Sequence, residues 1–357
     1  MDRNIIYSKN QIDIIGKEIA KNSLDRKNNE HLKIVERWRA VHAHPMIKLA
    51  KELKRAIGTR KGVVFAQRLK RLDTIVNKLV RYPNMRLSSM QDLGGCRVIF
   101  SNLEEVYSFR DSILNISEDF LLNKEKDYIK NPNKDTGYRG IHLIYDFIKD
   151  NNYDKISVEL QLRTRLQHLW ATAVESVGMF TNNGLKFNQG EKIWLDFFRL
   201  SSLIFEEEEC KKIKTIDDIK KHLETIGEFF NLNKKYGLTK KLYTFATVKI
   251  IFDSKKNYNK SGYYLLQLKT MNPSLEIKYF DEDEKSTKKA IKTYAKLELN
   301  KDINTDVVLV SAKSIASLQK AYPNYFAKIK KFTNLITKYV KEQLDRCHRI
   351  LEGLEKK

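Results

Sequence analysis

Four short segments carry residue types whose spacing suits phosphate chemistry. They are Arg68-x-Lys70-x3-Thr74-x3-Lys78, Asp92-x2-Gly95-x-Arg97, Asp127-Tyr128-Ile129-x2-Pro132 with Gly137-Tyr138-Arg139-Gly140-Ile141-His142, and Glu159-x-Gln161-x-Arg163-Thr164. Several cations on one face can clamp a polyphosphate, because guanidinium and ammonium groups make charge-assisted bonds to phosphate oxygens. Asp92 and Glu159 stand among those cations. Such carboxylates can hold Mg²⁺, which takes one or two acids together with substrate phosphates. Tyr138, an exposed tyrosine in a glycine-flanked loop, suits stacking on a base. Each piece alone has a plainer explanation: a solvated basic face, the wet side of a strand, a turn, an ion-pair partner. Their joint order points to nucleotide polyphosphate chemistry.

The elements that must position these residues follow from hydrophobic periodicity. Residues 1–58 read as helical through Val35, Trp38, Val41, Leu49, Leu53 and Ile57, with a break near His44-Pro45. Residues 65–80 read as one amphipathic helix with Leu69, Leu72, Ile75 or Val76, and Leu79 as its stripe, leaving Arg68, Lys70, Arg71, Thr74 and Lys78 polar. Strands follow at 96–100, 141–148 and 156–163. The last alternates strictly, with Ile156, Val158, Leu160 and Leu162 on one face and Ser157, Glu159, Gln161 and Arg163 on the other. Helices are expected at about 166–179 and through 185–230, the latter carrying an acidic run at 206–209. Beyond Tyr236-Gly237 come strands at 242–252, 262–270, 274–280 and 307–310, a helix at 283–298, and a long helix from Tyr325 onward. This order predicts an α+β fold: a mixed β-sheet core flanked by helices over residues 1–235, then a smaller β-rich domain over 236–357 ending in a long helix.

Composition narrows the partners. Of 357 residues, 67 are Lys or Arg and 45 Asp or Glu, a net charge of +22. That balance favours polyanions, with nucleic acid, nucleotides and an anionic surface all open. Cys96, Cys210 and Cys347 form no CxxC pair, which speaks against a zinc ribbon or a disulfide framework. No His-Asp dipeptide supports a phosphohydrolase of that class. The absence of a long apolar run and of a basic-then-apolar leader predicts a cytoplasmic protein.

In order, the four segments resemble the synthetase domain of the RelA/SpoT superfamily, over roughly residues 60–180. That resemblance implies transfer of the β,γ-pyrophosphate of ATP to a ribose 3′-hydroxyl. It implies that Arg68 and Arg97 sandwich adenine, while Lys70, Thr74 and Lys78 hold the ATP phosphates. Asp92 would bind Mg²⁺, and Glu159 would bind Mg²⁺ or activate the attacking hydroxyl. Tyr138 would stack on the acceptor, with His142, Gln161 and Arg163 shaping its site. Thr74 stands where the family often has Ser, which keeps the hydroxyl.

The phrases Trp38-Arg39…His42…His44-Pro45, 90–97 and 161–173 look like the toxic small alarmone synthetases, and the C-terminal half resembles the fused antitoxin of the CapRel type. This branch implies an anti-phage toxin–antitoxin fusion. Its toxin pyrophosphorylates the 3′ end of tRNA, and its antitoxin domain is zinc-finger-like without metal. Tyr322 and Tyr325 would plug the ATP pocket until a phage structural protein binds, and the branch tends to be monomeric. The same motifs suit a synthetase of (p)ppGpp or ppApp acting on free nucleotides. A basic binding module on an inactive scaffold is the non-enzymatic alternative.

Overall fold

The structure, a computed structural model, describes residues 7–21, 29–150, 152–180, 192–245, 249–252, 260–269, 274–300, 305–321 and 329–355. It divides into two compact units. The first comprises Met1–Val98, Tyr107–Lys126 and Ile141–Leu162; the second comprises Ile99–Val106, Asp127–Gly140 and Arg163–Lys357.

The chain begins with helices α1 (Lys9–Lys21), α2 (Asn29–Val41) and α3 (Ala43–Ile57). Strand β1 (Val64–Leu69), helix α4 (Leu72–Arg81), a single 3-10 turn (Leu87–Ser89), β2 (Gly94–Phe100) and α5 (Leu103–Ser112) follow. Then come β3 (Phe120–Asp127), β4 (Ile141–Phe147) and β5 (Ile156–Thr164). The strands form one sheet in the order β1-β2-β5-β4-β3, with β4 and β5 antiparallel. The strict alternation of β5 sets its faces: Ile156, Val158, Leu160 and Leu162 are buried, while Ser157, Glu159 and Gln161 keep partial access to solvent.

The expected helix over 65–80 is instead a strand and a helix. Val63, Val64 and Phe65 are β-branched or aromatic, follow Gly62 with its positive φ of 80°, and favour extended backbone. The helical stripe proper is Leu72, Ile75 and Leu79, all buried. Leu69 matched its period by coincidence. The residues expected to grip the phosphates and adenine therefore come from two elements: Arg68 lies on β1, Lys70 just after it, and Thr74 and Lys78 on α4. The expected break at His44-Pro45 falls at His42. Pro45 sits in the first turn of α3, where its missing N–H costs no helical hydrogen bond. Strand β3 carries an apolar signal only over Phe120, Leu121 and Leu122 and was missed because it is a sheet edge, with polar Asn123, Lys124, Glu125 and Lys126 along the rest.

His42 makes a pH test of this unit. Burial pushes its pKa down to about 4 against the Trp38 carbonyl, Asp150 and Asp92, all of which raise it. The neutral ring bonds the Trp38 carbonyl through Nδ1 at 3.0 Å. The unfolded chain protonates this histidine near 6.5 and the folded chain only near 4, so stability is full above 6.5 and falls as pH drops toward 4. Between pH 7 and 4 the wild type should lose about 3 kcal/mol more than His42→Gln, read by urea unfolding at both values. Parallel losses in the two proteins would overturn this.

The second unit contains the 127–140 loop and helices α6 (Arg165–Phe180), α7 (Lys192–Cys210), α8 (Ile216–Tyr236) and α9 (Leu238–Phe245). Strands β6 (Lys249–Phe252), β7 (Gly262–Lys269) and β8 (Ser274–Phe280), helix α10 (Glu284–Asn300), β9 (Thr305–Ala312), α11 (Ile315–Ala321) and α12 (Ile329–Glu355) complete it. Thr215 and Asp218 form a reciprocal capping box at the start of α8, and Gly237 ends the helix at φ 62°. The chain then turns straight into α9, which places Leu238 and Leu242 in the helical core. This is why the strand expected from 242 starts only at Lys249. Helix α12 packs against α6, α7, α8 and α9. The second sheet runs β6-β8-β7-β9, with α10 laying Tyr294 against Leu265 and Val307. Among the described residues, no helix is long and apolar enough to cross a membrane. Tyr322 and Tyr325 lie outside the described residues.

Candidate active site

Asp92 stands two residues before β2 and receives two lysines. Lys70 Nζ donates to its Oδ2 at 2.7 Å, and Lys78 Nζ to its Oδ1 at 3.0 Å. Burial alone would push the Asp92 carboxyl up, but Lys70 and then Lys78 outweigh it and hold the group well below the ordinary carboxylate range. Lys70 is itself nearly buried, and burial pushes its ammonium down against the pull of Asp92. Lys78 and Arg68 press on it in the same downward direction. Arg68, Lys70, Lys78 and Asp92 therefore share one field, from a strand, a connector, a helix and a second connector. The backbone fixes Lys70 on both sides: its N–H donates to the Leu93 carbonyl at 2.7 Å, and Arg39 Nη1 donates to its carbonyl at 3.3 Å. Arg39 has no signature in the sequence that marks this tether. Thr74 is half-buried on α4.

Glu159 sits on the half-wet face of β5. Its Oε1 lies 2.8 Å from His142 Nδ1, and its Oε2 accepts from Gln161 Nε2 at 2.7 Å. Gln161 Oε1 in turn accepts from Arg97 Nε at 3.3 Å. A continuous polar row thus crosses β4, β5 and β2. The register that pairs His142 with Gln161 and Ile144 with Glu159 places it. At Gly95 a Cβ would stand 3.3 Å from the Glu159 carbonyl, so the side chain of this strand position is kept clear beside the acid. Burial pushes the Glu159 carboxyl up, yet its His142 contact more than offsets this, Asp92 pushes back up, and the net position is below 4.5. Asp92 and Glu159 are thus within electrostatic reach of one another and both ionised. Two ionised oxygen donors with cations beside them fit Mg²⁺ with a polyphosphate. Among the described residues no group of three or more His, Cys, Asp or Glu could hold a metal by itself.

Tyr138 and Arg163 belong to the second unit and pair with one another. Arg163 Nη2 donates to Tyr138 Oη at 2.9 Å, with its guanidinium carbon 5.2 Å from the ring centroid. Arg163 is buried, unlike the other polar positions of its strand face. Tyr138 is half-buried rather than exposed, flanked by Tyr128 at 5.5 Å and Trp170 at 6.4 Å between ring centroids. The flanking glycines suggested a loop but could not show what the loop rests on.

Residues 67–183 match the pattern described as the region found in RelA / SpoT proteins, which is less than half of the chain. No curated protein matches the chain. Similar solved structures include the small alarmone synthetase 1 of Bacillus subtilis bound to its product pppGpp, at 21% identity and TM-score 0.41, covering 50% of this chain and 95% of that one. Small alarmone synthetase 2 of the same organism shares 24% identity at TM-score 0.38, covering 51% and 94%. A GTP pyrophosphokinase family protein of Streptococcus pneumoniae shares 22% at TM-score 0.38, covering 52% and 95%. The family region carries the assignment: the chain holds a RelA/SpoT synthetase region and is a pyrophosphotransferase of that type.

Proposed function

We propose that this enzyme moves the β,γ-pyrophosphate of ATP to the 3′-hydroxyl of the terminal adenosine of tRNA. The carrying observation is the Lys70–Asp92–Lys78 cluster within the field of Glu159. The acceptor oxygen forms a bond to the β-phosphorus, the bond from that phosphorus to the α,β-bridging oxygen breaks, and AMP leaves. Little covalent work falls to the protein, so rate comes from alignment and charge stabilisation. Lys70 and Lys78, both paired with Asp92 in the free protein with one positive charge left over, are placed to turn toward the donor's phosphate oxygens. Thr74 offers a hydroxyl to the same phosphates, and Arg68 and Arg97 offer planar faces to adenine. Mg²⁺, when held by Asp92 and Glu159, supplies positive charge to those phosphates. Glu159, ionised and oriented by His142 and Gln161, can instead accept the proton of the attacking hydroxyl. Tyr138, with Arg163, is the stacking surface for the acceptor base.

The net charge of +22 supports a polyanionic acceptor, gathered through counterion release. A tRNA modified at its 3′-hydroxyl cannot be aminoacylated, so the product would halt translation and act as a toxin. The sequence resemblance supports the rest of the reading. The C-terminal half acts as an antitoxin that restrains the enzyme through Tyr322 and Tyr325, and a phage structural protein releases it.

Purified protein with ATP labelled in the β-phosphate, offered deacylated tRNA beside GDP and GTP, is the test. Label on intact tRNA, lost when the terminal adenosine is removed or its 3′-hydroxyl oxidised, is the expected result. Label on free nucleotides alone would overturn the tRNA acceptor and leave an alarmone synthetase.

A further inference from the structure

We infer that Glu209 and Ser202 of α7, neither of them in the catalytic motifs, are positioning residues that clamp the Tyr138 loop and thereby set acceptor binding. This rests on the reading of Tyr138 as the acceptor's stacking surface.

The loop is first organised by itself. Asn133 Oδ1 accepts from the Thr136 N–H and hydroxyl, both at 2.9 Å, and the Gly137 N–H donates to the Asn133 carbonyl at 2.8 Å. It is then pressed onto α7. Gly137 has φ 77°, and a Cβ there would lie 2.8 Å from Ser202 Cβ and 3.1 Å from Arg199 Cα. Ser202 Oγ donates to the Gly137 carbonyl at 2.5 Å. On the other side of Tyr138, Arg139 is 3% exposed and gives Nη1 to Glu209 Oε2 at 2.6 Å. Glu209 also accepts from the Thr164 hydroxyl, and from Gln167 Nε2 at 3.2 Å. Thr164 directly follows Arg163, so one carboxylate ties both partners of the Tyr138–Arg163 pair. A cavity of about 10 Å³, room for one water, is lined by Arg139, Gln167, Trp170, Ser202 and Phe205.

A buried ion pair inside an aromatic bundle is poorly explained by stability, since apolar replacements of equal volume often do as well or better. Its geometry does explain a fixed tyrosine. Glu207 faces α12 instead, bonding Arg346 at 2.8 Å, so the end of α7 joins the C-terminal helix to this clamp.

The test uses the full-length enzyme with Glu209→Gln and Ser202→Ala, reading KM for acceptor and for ATP separately, with hydrogen exchange of the 133–140 amides. Glu209→Gln should raise acceptor KM about tenfold and Ser202→Ala about threefold, both with ATP KM nearly unchanged and faster exchange at 137–140. Unchanged exchange, or both KM values rising together, would overturn the clamp. If Glu209→Gln does not fold, Ser202→Ala carries the same comparison. Tyr138→Ala separates the two readings: an unchanged acceptor KM there sinks the stacking role. In that case faster exchange in the α7 variants upholds the clamp on the loop, and unchanged exchange removes it.

Discussion

Glu159→Gln is expected to cut pyrophosphate transfer about 10²- to 10⁴-fold while the protein stays folded. The substitution keeps the shape and one accepting oxygen, turns the other into an N–H donor, and removes the charge. That charge is held against burial by His142 and survives next to the like charge of Asp92. A structural carboxylate gains little from such an arrangement; a group that must be anionic when a polyphosphate arrives needs it. The ionised state persists through the neutral range because the carboxyl is held below 4.5, so activity carried by this anion fades only in acid. Folding does not depend on the charge to the same degree, because glutamine relieves the repulsion from Asp92 as it loses the attraction of His142. Binding of a non-hydrolysable ATP analogue with Mg²⁺ then splits the two roles open to Glu159. Weakened binding marks a metal ligand, and unchanged binding with lost turnover marks a base. Turnover within about threefold of wild type would remove Glu159 from the reaction altogether.

The half-wet face of β5 was legible because alternation is a local property: each inward aliphatic residue fixes the side on which its neighbour lies. The lysine cluster was legible as composition but not as geometry. Leu69, Leu72, Ile75 and Leu79 share a helical period, and nothing local shows that the first belongs to a strand. The partners of Asp92 lie 22 and 14 residues away, and only the folded sheet and helix bring them within 3.0 Å. Glu209 was hidden for the same reason carried further. It ends an acidic run that reads as solvated surface, and the arginine that buries it lies 70 residues upstream. Tyr138 was misjudged as exposed because glycine spacing reports the turn, whereas burial depends on Trp170 and α7. Local pattern reaches strand faces and helix stripes; ion pairs between elements and the support beneath a loop are tertiary facts.

The C-terminal helix offers the largest expected loss of stability. Phe332→Ala should destabilise the second unit by about 3–5 kcal/mol, the range for truncating a fully enclosed aromatic ring. Phe332 is 0% exposed and stands 5.5 Å from Phe205, 5.7 Å from Phe198 and 6.3 Å from Phe197 between ring centroids. Ile329, Ile336 and Val340 extend the same buried stripe along α12. About three turns of helix share this seam, and the backbone beside it is held by polar contacts that the substitution leaves intact. Gln343 donates through Nε2 to the Ile204 carbonyl and accepts at Oε1 from His222 Nε2, both at 2.9 Å, and Arg346 reaches Glu207. Those contacts keep the walls from closing on the missing ring, so the void remains and its cost is near the upper part of the range. Trp170 and Trp194 lie in the same cluster and report its unfolding by fluorescence in urea. A shift below about 1 kcal/mol would mean that α12 does not rest on this core, and with it would go the route by which the C-terminal helix reaches α7.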